Sequence, residues 1–140
     1  MRPGRPGQFR SKNQAMNTRK HAWACLRCNG VYTNKRNECE CGNPLHYFPS
    51  KAELKRFHSL RLEQRCGLIS DLELQPSYTV VIEGVHQFIY RADFRYTRDG
   101  AQVIEDVKAT LDEKYFTGEF KLKRKQVQTI FKIHINIVKG

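Results

Sequence analysis

The sequence predicts a mixed α/β chain: a sheet of mixed strand direction flanked by helices and preceded by a small zinc ribbon. Three observations predict it. Apolar residues recur with period two around Tyr90 and again after Asp99-Gly100, residues 103–138 run strand, helix, strand, and two cysteine pairs stand ahead of both. The expected layout is a basic flexible arm at 1–20, a ribbon at 21–47 and a larger domain at 48–140.

Composition narrows the partner. The chain has 140 residues with 25 Lys and Arg against 14 Asp and Glu, and a pI near 9.7, so a polyanion is expected, nucleic acid above all. Aromatic residues make up 11%, which argues against wholesale disorder. No apolar run approaches the length of a membrane-spanning helix, and no basic amphipathic helix with a broad apolar face is evident, so no membrane partner is expected. The stretch MRPGRPGQFR lacks the apolar centre of a secretory signal, which makes a reducing, cytoplasmic setting the default expectation.

Residues 1–20 carry six Lys or Arg and no acid, the profile of a solvated arm that either tracks phosphates or is inert. In the ribbon, Cys25 and Cys28 are separated by ten residues from Cys39 and Cys41, a spacing that can close a tetrahedral thiolate site around Zn²⁺. The second pair is C-x-C rather than C-x-x-C, which leaves His46 or His21 as alternative ligands, and disulfides are the competing reading. Four thiolates leave no open position, so such a metal is structural.

A helix is expected from Ser50-Lys51-Ala52-Glu53, a capping box, with Leu54, Phe57 and Leu60 at helical spacing and Gly67 ending it. Cys66, without a partner, is expected to be buried as a small hydrophobe. Gln75-Pro76 stops any regular element, residues 78–82 form a β-branched strand, and Glu83-Gly84 turns it back. Phe88, Tyr90, Ala92, Phe94 and Tyr96 alternate with mostly polar neighbours, so one strand with one buried face is expected through them. Asp99-Gly100 supplies a tight turn, and residues 103–107 return. Thr117 caps a helix to about Ile130, with Phe120, Val127, Ile130 and Phe131 inward and Lys121, Lys123, Arg124 and Lys125 outward. The last strand alternates through Ile133, Ile135 and Ile137 and is expected to run parallel to its predecessor, because a helix connects them.

The central hairpin carries the chemistry. If Asp99 and Gly100 are the turn residues, Arg98 faces Ala101, and counting back sets Asp93 opposite Asp106. Opposed β-carbons are about 4.5 to 5.5 Å apart, so like charges there destabilise unless something compensates, and a divalent cation would. Lys108 projects from the same face as Asp106. Asp93 followed by Asp106-Val107-Lys108 resembles the signature of the PD-(D/E)XK nuclease superfamily, with Ala92 standing where that name has proline. More narrowly, residues 50–140, through SKAE, QPSY, YRADFRY, IEDVK and FKLKRK, resemble a small family of phage-encoded endonucleases.

The resemblance implies a restriction-endonuclease-like sheet and metal-dependent hydrolysis of DNA. Asp93 and Asp106 would bind Mg²⁺ or Mn²⁺, and Lys108 would orient the attacking water or steady the pentacovalent phosphorus. Glu53 matches a metal-binding glutamate of an early helix, although the capping box alone accounts for it; Glu63 is the fallback. Some members of the superfamily resolve Holliday junctions, so branched DNA is an expected substrate, with a homodimer supplying two active sites, in phage recombination or processing within the host cytoplasm. Lys121, Lys123, Arg124 and Lys125, the densest basic cluster, are expected to clamp phosphates rather than form an ordinary solvated face. A non-catalytic zinc-ribbon DNA-binding protein with a degenerate nuclease fold is the alternative. No serine or cysteine is set beside a partnered histidine; His86 and His134 are strand positions.

Overall fold

The computed structural model describes residues 21–140; the expected arm at 1–20 lies outside them. The chain divides into two compact units whose boundary falls between Leu54 and Lys55. Among the described residues, several sheets and two α-helices make a mixed α/β protein.

The first unit contains a three-stranded antiparallel sheet in the order β2 (Val31–Tyr32), β1 (Ala22–Cys25), β3 (Leu45–Phe48). Phe48 pairs with Ala22, so the ribbon extends one residue past the expected limit at 47. Helix α1 (Lys51–Arg65) begins as expected: the Glu53 N–H donates to Ser50 Oγ at 3.1 Å, and Ser50 Oγ donates to Glu53 Oε1 at 3.3 Å. The unit boundary cuts this helix rather than preceding it. Its C-terminus is a Schellman motif, with Gly67 at φ +76°, the Gly67 N–H on Gln64 O and the Leu68 N–H on Glu63 O. Cys66 is exposed rather than buried, because it sits in that final turn.

In the second unit, β4 (Ser70–Leu74), β7 (Phe94–Arg98), β8 (Ala101–Lys108) and β9 (Ile135–Lys139) form a sheet in the order β4-β7-β8-β9. A separate pair joins β5 (Ser77–Ile82) to β6 (Val85–Arg91). The turns Glu83-Gly84 and Asp99-Gly100 have positive φ at both residues, as a type I′ hairpin requires. Arg98 pairs with Ala101 and Phe94 with Glu105, the expected register. β8 and β9 are parallel, joined through a 3₁₀ turn (Glu113–Tyr115) and α2 (Gly118–Phe131), which Thr117 caps through the Phe120 N–H at 3.1 Å.

Two expectations need correction. First, β4 was not anticipated; it pairs antiparallel with β7, with an irregularity at residues 70–73 where Asp71 has φ +55°. Second, residues 88–96 are two strands rather than one. Leu74 opposes Phe94 and Ser77 opposes Arg91, so β4-β5 and β6-β7 form a single long antiparallel ribbon bent at its middle. Pro76 has no N–H to give, Gln75 adopts φ +49°, and the chains are tied across the bend by Gln75 N–H on Asp93 O and Ala92 N–H on Pro76 O.

The bend changes which face is buried. Tyr90 and Ala92 join Tyr78, Val80, Ile104, Val127 and Ile135 in the core cluster. Phe94 opposes Glu105, and Tyr96 Oη donates to the Glu105 carboxylate, so both lie on the other face of β8 from Ile104. Glu105 is itself buried, satisfied by a bidentate Arg56 at 2.7 and 2.9 Å. Removing Arg56 would strip the buried Glu105 charge of this cation, the case in which buried pairs matter most.

Candidate metal and phosphodiester site

Asp93 sits at the bend, just before β7, and Asp106 lies across from it on β8. Each carboxylate takes a hydrogen bond from the other strand's backbone: the Val107 N–H donates to Asp93 Oδ2 at 2.6 Å, and the Asp93 N–H donates to Asp106 Oδ1 at 3.2 Å. The Tyr90 hydroxyl donates to Asp106 Oδ2. Asp106 is 3% exposed, and Asp93 and Lys108 are half-buried.

Burial pushes the Asp106 carboxyl above its ordinary value, and the Tyr90 hydroxyl, Lys108, the Asp93 N–H and Arg124 pull it back. Burial likewise raises the Tyr90 phenol, aided by the charges of Asp106 and Asp93. Hence Asp93, Asp106, Tyr90, Lys108 and Arg124 share one electrostatic neighbourhood. The expectation that a cation alone reconciles the two aspartates is too narrow, since backbone amides and a phenol also stabilise them.

Lys108 Nζ lies 4.2 Å from the Phe120 ring centroid. A cavity of about 180 Å³ opens beside it, lined by Lys108, Tyr115, Phe116, Thr117 and Phe120.

Glu53 belongs to the first unit, buried in the first turn of α1 within the capping box. Glu63 takes hydrogen bonds or ion pairs from Arg98 and Arg56, which ties α1 to the tip of the β7-β8 hairpin. In the basic cluster, Lys121 and Lys125 are exposed. Lys123 pairs with Glu119 at 2.5 Å, one turn back, so an acid does offset the cluster. Arg124 is turned inward, contrary to the expected outward face: it donates to Ile135 O at 2.7 Å and to Glu113 at 3.2 Å. Ile130 and Phe131, expected inward, are exposed, although Phe131 rests edge-on against Tyr78. α2 lies over the β5-β6 pair as well as the sheet, so its inward face is rotated toward Arg124 and Val127.

Tyr90 is a site residue that sequence reasoning missed, and Arg124, already a candidate, was expected to face outward. A signal existed for Tyr90: a buried phenol needs a polar partner.

In the first unit the four cysteines converge. Sγ atoms of Cys25, Cys28, Cys39 and Cys41 all lie within 4.8 Å of one another, with Cys25 to Cys41 at 3.5 Å and Cys28 to Cys39 at 3.3 Å. A zinc tetrahedron with bonds of about 2.3 Å sets sulfurs about 3.8 Å apart, so the cluster can hold a metal such as zinc. All four thiols are free of disulfides. Asn43, through its side chain and backbone, lowers the Cys41 thiol to about 6, and the Tyr32 hydroxyl lowers Cys39. Cys28 is pushed up to about 12: the Gly30 N–H lowers it, but the neighbouring thiols outweigh that. Four sulfurs this close ionise together only around a cation. His21 and His46 stand apart from the cluster; their Nδ1 and Nε2 atoms respectively are buried without a hydrogen-bond partner.

Among the described residues no helix is long and apolar enough to cross a membrane. A family described as protein of unknown function (DUF1064) matches residues 41–139, which takes in α1 through β9 and, of the four cysteines, Cys41 alone. No curated protein matches the chain.

Proposed function

The chain belongs to the DUF1064 family, whose description assigns no activity, and we propose that it is a metal-dependent endonuclease that hydrolyses DNA phosphodiester bonds. The observation that carries this reading is the meeting of Asp93 and Asp106 at the bend, in one electrostatic neighbourhood with Lys108. Hard carboxylate oxygens suit Mg²⁺ or Mn²⁺. When bound, such an ion activates water and neutralises charge on the phosphoryl oxygens. Asp93 and Asp106 would hold it. Val107 N–H, Asp93 N–H and Tyr90 fix the two carboxylates against rotation, and Lys108 orients the attacking water or steadies the pentacovalent phosphorus. Lys121 and Lys125, one helical turn apart, would contact phosphates. The cysteine cluster would carry a structural Zn²⁺.

Branched DNA is the proposed substrate, in the manner of a junction resolvase, and a four-way junction cut symmetrically needs two active sites and therefore a homodimer. The resemblance to phage enzymes sets this in phage DNA processing or recombination within a host cytoplasm.

The test is a cleavage panel of linear and branched DNAs with and without Mg²⁺ or Mn²⁺. The parent should nick or cut only with metal, and Asp106→Asn should lose that activity while still retarding DNA. Equal cleavage by parent and variant would overturn the reading. A second reading, a non-catalytic zinc-ribbon DNA-binding protein with a degenerate nuclease fold, is favoured by one observation: Tyr90 and backbone amides already satisfy part of both carboxylates. It predicts DNA binding with no cleavage anywhere in the panel.

A further inference from the structure

The ribbon sheet is built inside out with respect to side-chain size. One face of β1 and β3 carries Ala22, Ala24 and Phe48, all buried. The other face carries a row of large aromatics. Trp23 is the Cα partner of Tyr32 on one side and of Tyr47 on the other, so the three stand side by side across β2-β1-β3. Trp23 and Tyr47 have centroids 5.3 Å apart, and His21 lies 4.9 Å from Trp23 and 5.9 Å from Tyr47. Tyr47 is 45% exposed, and Trp23, Tyr32 and His21 are half-buried. Scattered exposed apolar residues need no explanation, but a contiguous aromatic row on a small open sheet does.

The charges around the row indicate what covers it. Arg36 lies 4.5 Å over the Tyr32 ring at one end. In sequence, the residues that precede His21 carry six Lys or Arg and no acid within 1–20. Aromatic faces lined by cations on a sheet match unpaired nucleobases joined by phosphates, because every base has a π-face and every linkage a negative charge. A duplex offers no free base faces. Cross-strand packing alone would explain why the rings touch one another, though not why Tyr47 is exposed at the end of an aromatic row.

We propose that Tyr32, Trp23 and Tyr47 form a stacking platform for a single-stranded nucleic acid. The proposal does not need the nuclease reading; within it, the ligand would be the unpaired bases at a branch point.

Trp23 is the only tryptophan of the chain, so its emission reports the platform directly. Zinc-loaded full-length protein, without Mg²⁺ or Mn²⁺, is titrated with oligodeoxythymidylate and with a duplex of equal length. Saturable quenching by the single strand, far weaker with the duplex, is expected. Stacking is worth about 1–3 kcal/mol per base, so Tyr47→Leu should weaken binding about tenfold or more while Tyr47→Phe retains it. Absent quenching, equal quenching by both DNAs, or unchanged affinity in Tyr47→Leu would overturn the platform. The quenching is read on the parent, so a poorly folded variant leaves it decisive. Quenching without cleavage would sink the nuclease reading alone, and cleavage without quenching would sink the platform alone.

Discussion

Asp106 is pulled in two directions. Burial, the largest influence, raises its carboxyl above the ordinary value of 3.8, while Tyr90, Lys108, the Asp93 N–H and Arg124 lower it. A raised value means that the fold holds the proton more tightly than the unfolded chain does. The stability this contributes is complete below the ordinary value and lost as pH rises through the folded value. Asparagine does not titrate, so in Mg²⁺-free buffer Asp106→Asn should gain stability relative to the parent between acid and neutral pH. Urea midpoints at several pH values check it, and parallel curves for the two proteins would contradict it. Such a cost is what a site kept for binding rather than stability is expected to carry. The hairpin register down to Phe94 and Glu105 was legible because it follows from counting along a ladder; the approach of Tyr90 to Asp106 was not, because it depends on a second ladder that the sequence does not number.

At the scale of elements, the bend in the long β4-β5/β6-β7 ribbon matters most. It sets Asp93 at a break between two pairings, where its carboxylate reaches the Val107 N–H instead of continuing the strand. Period-two alternation was read correctly residue by residue, yet Tyr90 and Tyr96 bury opposite faces, since the left-handed Gln75 and the proline after it rotate the ribbon between them. Hairpin tips are simpler because two residues decide them. Gly100 has φ +76°, and a β-carbon there would meet nothing within 4 Å. Gly100→Ala should therefore cost about 1 kcal/mol through backbone conformation alone. A chemical denaturation curve would measure it, and an unchanged midpoint would mean that the turn relaxes to another type. In α2 the cap at Thr117 was legible from one residue, whereas the rotation that turns Arg124 inward depends on the packing of β5-β6 and was not.

Taken as a whole molecule, the two units rest on different forces. The second has a contiguous apolar cluster from Tyr78 to Ile135. The ribbon has strands of four, two and four residues and few buried apolar side chains besides Ala22, Ala24 and Phe48, too small a core to hold itself. Metal binding to its thiolates would then be folding free energy. A strong chelator should collapse the amide resonances of residues 21–48 and leave those of residues 69–139 dispersed. Ribbon resonances that survive chelation would show that the sheet folds without a metal.

By itself the sequence determined what short-range chemistry decides: the two glycine turns, the capping box at Ser50, the cap at Thr117, the hairpin register from Arg98 and Ala101 to Phe94 and Glu105, and the convergence of four cysteines. Tertiary structure alone decided the β4 strand, the bend at Gln75-Pro76, the Tyr90 hydrogen bond and the inward Arg124. The first group depends on local dihedrals and counting within one hairpin. The second depends on which surfaces meet over long separations, and alternation along a chain is blind to that.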